Sequence, residues 1–235
     1  MDMPILQSRA IRCVVVLIVM SISSWGVAAD WQLELDEDGV KHYTKKSSIS
    51  PVKSFKTVTT IKASLSSLVA LLNDSSQFPE WMHKTLEVEK IRDISSQESL
   101  VYQVIDAPWP AKDQDNVLYS KWSQDPSTLV VTKKIVSEPQ YINEFKNRQR
   151  QQFFNAEWSL KPLAGGKVEI VYTAEIHPGV EAREWMVELL AYEMPYKTMQ
   201  NLRRVSLNGY RKARFAYVRE PSVEGVAMAG SSTDK

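Results

Sequence analysis

The chain has 235 residues, 43% hydrophobic and 24% charged, a balance that excludes a disordered chain and suits one domain or at most two small ones. Lys and Arg number 29 against 28 Asp and Glu, so there is no basic excess to hold nucleic acid or an anionic membrane at long range. One cysteine and three histidines exclude a disulfide framework and leave little for a metal site, and neither a metal nor a cofactor is expected.

The first segment, 1–29, reads as an address rather than as fold. Arg9 and Arg12 precede an apolar run at 14–20, and Val27, Ala28 and Ala29 provide small residues where a signal peptidase cuts. The run is much shorter than the roughly twenty residues that span a bilayer, which favours cleavage after Ala29 over an uncleaved anchor. Cleavage removes Arg9, Arg12, Asp2 and Cys13, leaving a cysteine-free chain with 27 basic and 27 acidic residues. Such a chain cannot be mispaired in an oxidising compartment, and a periplasmic or secreted location is expected.

The globular part is expected over 30–216. Residues 54–62 are β-branched and alternating, a strand pattern. Ser64 is placed to cap a short helix carrying Leu65, Leu68, Val69 and Leu72 on one face, ended by Asn73 to Ser76. Strands are predicted at 86–92, 99–106, 117–123, 128–137 and 150–160. A turn from Pro162 to Gly166 leads into another at 168–176, with Val168, Ile170, Tyr172, Ala174 and Ile176 on one side. Short connections between successive strands mean an antiparallel sheet.

His177, Pro178 and Gly179 interrupt the strands. From Arg183 the pattern turns helical, with Trp185, Met186, Leu189 and Leu190 on one face. Pro195 kinks or restarts this helix, and Met199, Leu202 and Val205 carry the stripe on, so a long helix is predicted over about 184–214. The basic cluster Arg203, Arg204, Arg211, Lys212 and Arg214 reads as a solvated face near its C-terminal half. Residues 217–235 are small and polar and read as a disordered tail. The fold class is therefore α+β: a curved antiparallel sheet wrapped around one long C-terminal helix. Such a helix leaves an apolar gap against the sheet, where small ligands bind.

The ordered series of motifs from Trp31 to Ala213 resembles the START family, the lipid-transfer domains of the helix-grip superfamily. GVKHYTKK at 39–46 is similar to its opening strand, and Ser54-Phe55-Lys56 to the next. Asn73-Asp74 closes the first helix, and Trp81 follows at the family's spacing. PAKDQD at 110–115 resembles the "P-x-x-x-R-D" turn. Trp158 to Pro162 followed by Val168 to Tyr172 resembles the family hairpin, and Pro178-Gly179 its "D-P-G-G". Met194-Pro195 and Leu202-Arg203 resemble the closing helix. Two departures stand out. Gln114 replaces the Arg of "R-D", which weakens an ion pair expected there, and His177 replaces the Asp of "D-P-G". Ser120 stands near the position where sterol-carrying relatives have a buried Arg, so a sterol is not implied.

The resemblance implies a domain, expected to be monomeric, that binds a lipid or other hydrophobic small molecule, with transfer and transient membrane contact as further implications. The expected cavity residues are Trp81, Tyr102, Trp109, Phe154, Trp158, Tyr172, Trp185, Met194 and Met199, aromatic and thioether side chains suited to apolar ligands. Arg150 is a headgroup candidate. The turns at Trp109-Pro110 and His177-Pro178-Gly179 are expected at the cavity rim. Two alternatives stay open. One is a protein-interaction module of the cell envelope. The other is a cyclase- or hydrolase-like enzyme, for which His177 with Glu175, or Asp106 with Tyr102, are the nearest acid–base pairs. No nucleophile elbow, HExxH or phosphate-binding loop is present in the sequence.

Overall fold

The computed structural model describes residues 31–222. The expected export segment, 1–29, and the expected tail from 223 onward lie outside the described residues. Residues 217–222, also assigned to the tail by sequence, are bound to the domain. The Glu220 carboxylate accepts hydrogen bonds from the Leu65 and Ser66 N–H groups at 3.0 and 2.7 Å, and the Arg219 N–H donates to Gln124 at 2.7 Å.

The chain opens with a hairpin of β1 (Gln32–Glu37) and β2 (Val40–Lys45). Asp38 and Gly39 turn it, both at positive φ (52° and 72°), the pairing that matches the twist of the flanking strands. Next come β3 (Ser54–Lys62) and the short helix α1 (Leu65–Leu71), where the Ser64 hydroxyl accepts from the Ser67 N–H as the N-cap. A second short helix, α2 (Phe78–Trp81), leads into β4 (Thr85–Asp93) and β5 (Glu98–Ile105). The remaining strands are β6 (Gln114–Gln124), β7 (Val131–Ser137), the two-residue β8 (Gln149–Arg150), β9 (Phe153–Leu163) and β10 (Lys167–His177).

All ten strands form one sheet in the order β1-β2-β3-β10-β9-β7-β6-β5-β4. Every neighbouring pair is antiparallel, and β8 runs parallel beside β6. Strand β3 lies mid-sheet and β4 at an edge, so the chain joining them, with α1 and α2, must cross one face. Strand β10 is also central, and the helix that follows it is delivered onto the same face. One core cluster gathers Phe55, Leu68, Trp81, Trp122, Trp158, Tyr172, Leu190 and Met199 from strands and helices alike.

The C-terminal helix comprises α3 (Glu184–Glu188), a π turn (Leu189–Glu193) and α4 (Met194–Arg204), 21 residues without a break. Pro195 explains the π turn. It has no N–H for the Ala191 carbonyl four residues back, and its ring collides with that carbonyl in an α-helix. Widening the preceding turn relieves the clash without breaking the helix. Tyr192 of this turn packs against the His42 imidazole, with ring centroids 5.7 Å apart, and burial pushes the His42 pKa down. The helix stops ten residues before the expected 214. Ser206, Asn208 and Gly209 are poor helix formers, and the chain turns back so that the Tyr210 hydroxyl donates to Asp74 at 2.8 Å. Arg211, Lys212 and Arg214 therefore lie beyond the helix.

The opposite, convex face carries a smaller cluster of Leu100, Tyr102, Val104 and Val117, packed against Ile142. Loop 138–148 covers it, and Arg150 holds that loop. Its guanidinium is fully buried and pairs with both oxygens of Asp115, at 3.0 and 2.9 Å, while donating to the carbonyls of Pro139 and Ile142. The Tyr102 hydroxyl completes the set by donating to Asp115 at 2.9 Å. The ion pair expected to weaken at this turn is thus kept, with Arg150 supplying the charge. Arg150→Met should cost about 3–5 kcal/mol in urea unfolding, because it leaves a buried carboxylate unpaired. The double variant Asp115→Leu/Arg150→Met should recover most of the loss. Equal destabilisation by single and double variants would contradict this role.

Candidate functional site

Strand alternation sends one set of side chains from each strand toward the helices, and they do not fill the space beneath them. A cavity of about 300 Å³ remains between the sheet's concave face and the helical cover. Its floor includes a cross-strand row that runs Trp122, Lys133, Trp158, Tyr172 over β6, β7, β9 and β10. The Trp158 and Tyr172 rings stack 4.1 Å apart and 8° from parallel, and Trp81 of α2 meets Trp158 edge-on at 6.2 Å. Burial raises the Tyr172 phenol's pKa well above the usual value, so it stays neutral. Leu190, Met194, Pro195 and Thr198 form the helical side of the cover.

The cover is tied down by polar contacts. The Thr198 hydroxyl accepts from the His83 N–H at 3.0 Å, the His83 ring meets Glu193 at 2.9 Å, and Asn201 donates to the Trp81 carbonyl at 3.1 Å. Lys197 and then His83 hold the Glu193 carboxyl below its usual range. The lining reaches the surface at the β4–β5 turn, through exposed Asp93, Ser95 and Ser96, facing Asn73 and Ser75 beyond α1.

Polar side chains share the wall with the apolar ones. Ser99 and Ser120 bond to each other at 3.1 Å, and Gln103 donates to Thr85 at 3.1 Å. The Gln151 carboxamide and the Trp81 indole N–H are buried in the wall with no hydrogen-bond partner. Lys133 is the exceptional group. It is 7% exposed, its ammonium donates to the Leu72 carbonyl at 2.7 Å and lies 5.3 Å from the Trp122 ring centre, and it is in none of the ion pairs among the described residues. Burial, reinforced by the charge of Lys90, pushes its pKa down to about 7.

Of the residues expected from sequence, Trp81, Phe154, Trp158, Tyr172 and Met194 stand on the cavity wall. Five stand elsewhere. Tyr102 and Arg150 belong to the convex face: Tyr102 alternates with the inward-facing residues of β5, and the irregular residues 151–152 between β8 and β9 shift Arg150 out of phase with Phe154 and Trp158. Trp109 is 92% exposed at a loop tip. Trp185 lines a separate surface groove with Pro110 and Met186. Met199 is buried in the core but turned about 100° around the helix from Thr198, and so misses the wall. The expected rim is also at the wrong end. The Trp109 and His177 turns lie at one end of the sheet, whereas the opening lies at the other, beside the β4–β5 turn.

The acid–base pairs considered from sequence point away from the cavity. Glu175 accepts from Ser47, His177 from the Gly179 N–H, and Asp106 pairs with Lys84. Lys133 and Gln151 were missed, although Lys133 leaves a trace in the sequence. Val131, Lys133 and Ile135 alternate, which places a lysine on the inward face of a predicted strand. Among the described residues no group of His, Cys, Asp and Glu could hold a metal ion, and no helix is long and apolar enough to cross a membrane.

Comparison with known proteins agrees with this architecture. The sequence profile of the family described as polyketide cyclase / dehydrase and lipid transport matches residues 61–203. An uncharacterised protein of Pseudomonas aeruginosa is 30% identical over 185 residues, 79% of this chain and 91% of its own. The crystal structure of a STAR-related lipid transfer protein from Xanthomonas axonopodis superposes with a TM-score of 0.68 at 25% identity, covering 74% of this chain and 97% of that one. Human StAR-related lipid transfer protein 5 shares the fold with a TM-score of 0.66 at 13% identity, covering 75% and 86%.

An uncompensated lysine in such a wall should be visible in the stability. Between pH 7 and about 10 the unfolded chain keeps Lys133 protonated while the folded chain does not, so the unfolded state binds more protons and stability rises with pH. Lys133→Met should therefore stabilise the protein by on the order of 2 kcal/mol at pH 7. In chemical denaturation from pH 7 to 10, the gain over wild type should shrink as pH rises. A Met variant that is less stable at pH 7 would contradict the burial of an unpaired ammonium.

Proposed function

The chain belongs to the polyketide cyclase / dehydrase and lipid transport family, with a START-like domain, and from that membership we propose that it binds a small amphiphile or other hydrophobic molecule in the cavity beneath its C-terminal helix. The observation that carries the reading is the cavity itself. Interiors are normally packed to the density of organic crystals, and a space of this size sacrifices dispersion contacts along its wall. A fold retains such a space at a cost in stability, and an occupant restores the lost contacts.

Size narrows the occupant. At roughly 30 Å³ per non-hydrogen atom, the volume a water takes in the liquid, the closed cavity holds about ten such atoms. That suits a medium-length chain or a bicyclic aromatic. A two-chain phospholipid fits only if the cover opens, and the contacts of His83, Glu193 and Thr198 are what opening would break. We favour binding over catalysis because none of the acid–base pairs named from sequence faces the space. Delivery between membranes, or to a protein of the envelope, is the wider role we propose. The N-terminal segment 1–29 would place that role in the periplasm or outside the cell.

Naphthalene, with about ten carbons, suits the closed cavity and reports its surroundings by fluorescence. Ile135→Trp, which fills the cavity from the middle of β7, should weaken naphthalene binding at least tenfold. Overpacking should cost about 1–3 kcal/mol without loss of fold. Unchanged affinity in a folded Ile135→Trp variant would place the bound probe elsewhere.

A further inference from the structure

We propose that Lys133 anchors the ligand by its acidic end: the occupant is a monoanionic amphiphile, a carboxylate, whose head meets the Lys133 ammonium while its apolar part lies along Trp158, Tyr172 and Phe154. The inference rests on the cavity-binding reading above and gives that ligand a chemical class.

Lys133 extends from the centre of β7 into the wall, between two tryptophans of its cross-strand row. A buried cation in apolar surroundings is unfavourable unless it is paired. Among the described residues the other deeply buried cation, Arg150, shows how such pairing is done internally. Arg150 has Asp115 and several carbonyls, whereas Lys133 has one carbonyl, that of Leu72. An ammonium has three N–H donors. With one committed to Leu72, two remain, matching the two oxygens of a carboxylate. One buried charge balances one negative charge, so a carboxylate suits the site better than a doubly charged phosphate monoester.

The other ionisable groups around the cavity do not supply that anion. Asp93 of β4 is exposed and lies 3.4 Å from Lys90, whose positive charge bears on Lys133. Glu98 of β5 is paired with Lys121 at 2.7 Å. His83 is engaged by Glu193 on the helix, and Tyr172 of β10 stays neutral. Asp93 and Glu98 are each engaged by a lysine of their own, which leaves Lys133 as the group free to meet a carboxylate arriving from outside. Because the empty site favours the free amine above neutral pH, binding of the anion at pH 8.5 should draw a proton from solvent onto Lys133.

The test uses the folded protein with octanoate and with 1-octanol, a pair of nearly equal size that differs in charge. Isothermal titration calorimetry at pH 8.5, in buffers of different ionisation enthalpy, reads affinity and proton uptake together. Wild type should bind octanoate at least tenfold tighter than 1-octanol, with uptake of about one proton per octanoate. Lys133→Met, which is expected to be at least as stable as wild type, should lose both the preference and the uptake while still binding 1-octanol. Lys133→Gln serves as a second polar, uncharged variant and should behave in the same way. Binding of 1-octanol by wild type with no preference for octanoate would overturn the anchor and leave the cavity reading standing. So would an octanoate affinity unchanged in both variants. Failure of wild type to bind either compound would overturn the cavity reading and the anchor with it.

Discussion

A ten-stranded, mostly antiparallel sheet bent around a single helix cannot close its concave side with that helix alone. The rest of the structure follows from this mismatch between a broad face and a narrow cover. Helices α1 and α2 cross the face because β3 and β4 lie far apart in the sheet, and the C-terminal helix falls on it because β10 is central. Together they seal most of the surface and leave about 300 Å³ unfilled. Large aromatic side chains brace the void by packing on each other: Tyr172 on Trp158, Trp158 on Trp81. A cavity framed by stacked rings resists collapse better than one framed by flexible aliphatic chains, which relax into empty space.

The two faces of the sheet treat buried charge in opposite ways. On the convex face Arg150 and Asp115 satisfy each other in a bidentate pair, and a covering loop is fixed as a result. On the concave face Lys133 is left with one carbonyl and a depressed pKa. The first arrangement supports structure. The second stores unfavourable free energy that a suitable guest would relieve, as remote strain is kept at functional sites elsewhere. Pro195 adds to this. By forcing a π turn into the cover beside the cavity, it interrupts the regular α-helical hydrogen-bond ladder there.

The strands and the fold class were legible because alternation is strong in 54–62, 150–160 and 168–176, and because turn residues punctuate the chain, whereas the order of the strands in the sheet was not. The hairpin of β1 and β2 was weaker. Trp31, Leu33 and Leu35 alternate with polar residues, but the run is short and largely exposed on an edge, and β2 was found through resemblance alone. The helix was overextended because an apolar stripe persists past Leu202 while Ser206, Asn208 and Gly209 end it locally. Among site residues, composition misled. Tyr102 and Trp109 are aromatic and so were assigned to a cavity, yet strand parity puts Tyr102 on the far face and a loop puts Trp109 in solvent. Parity was also the signal that would have found Lys133, a polar residue at an inward position between Val131 and Ile135. No sequence pattern marks Gln151, which reaches the wall from an irregular segment.

The central claim is that the space under the helix is made for a guest. Native mass spectrometry of the protein purified from its own cells under gentle conditions tests this most directly. A population with one small acidic amphiphile per chain, released on collisional activation and recoverable by solvent extraction, is the expected result. A bare chain at every collision energy, which also fails to retain added octanoate, would contradict it.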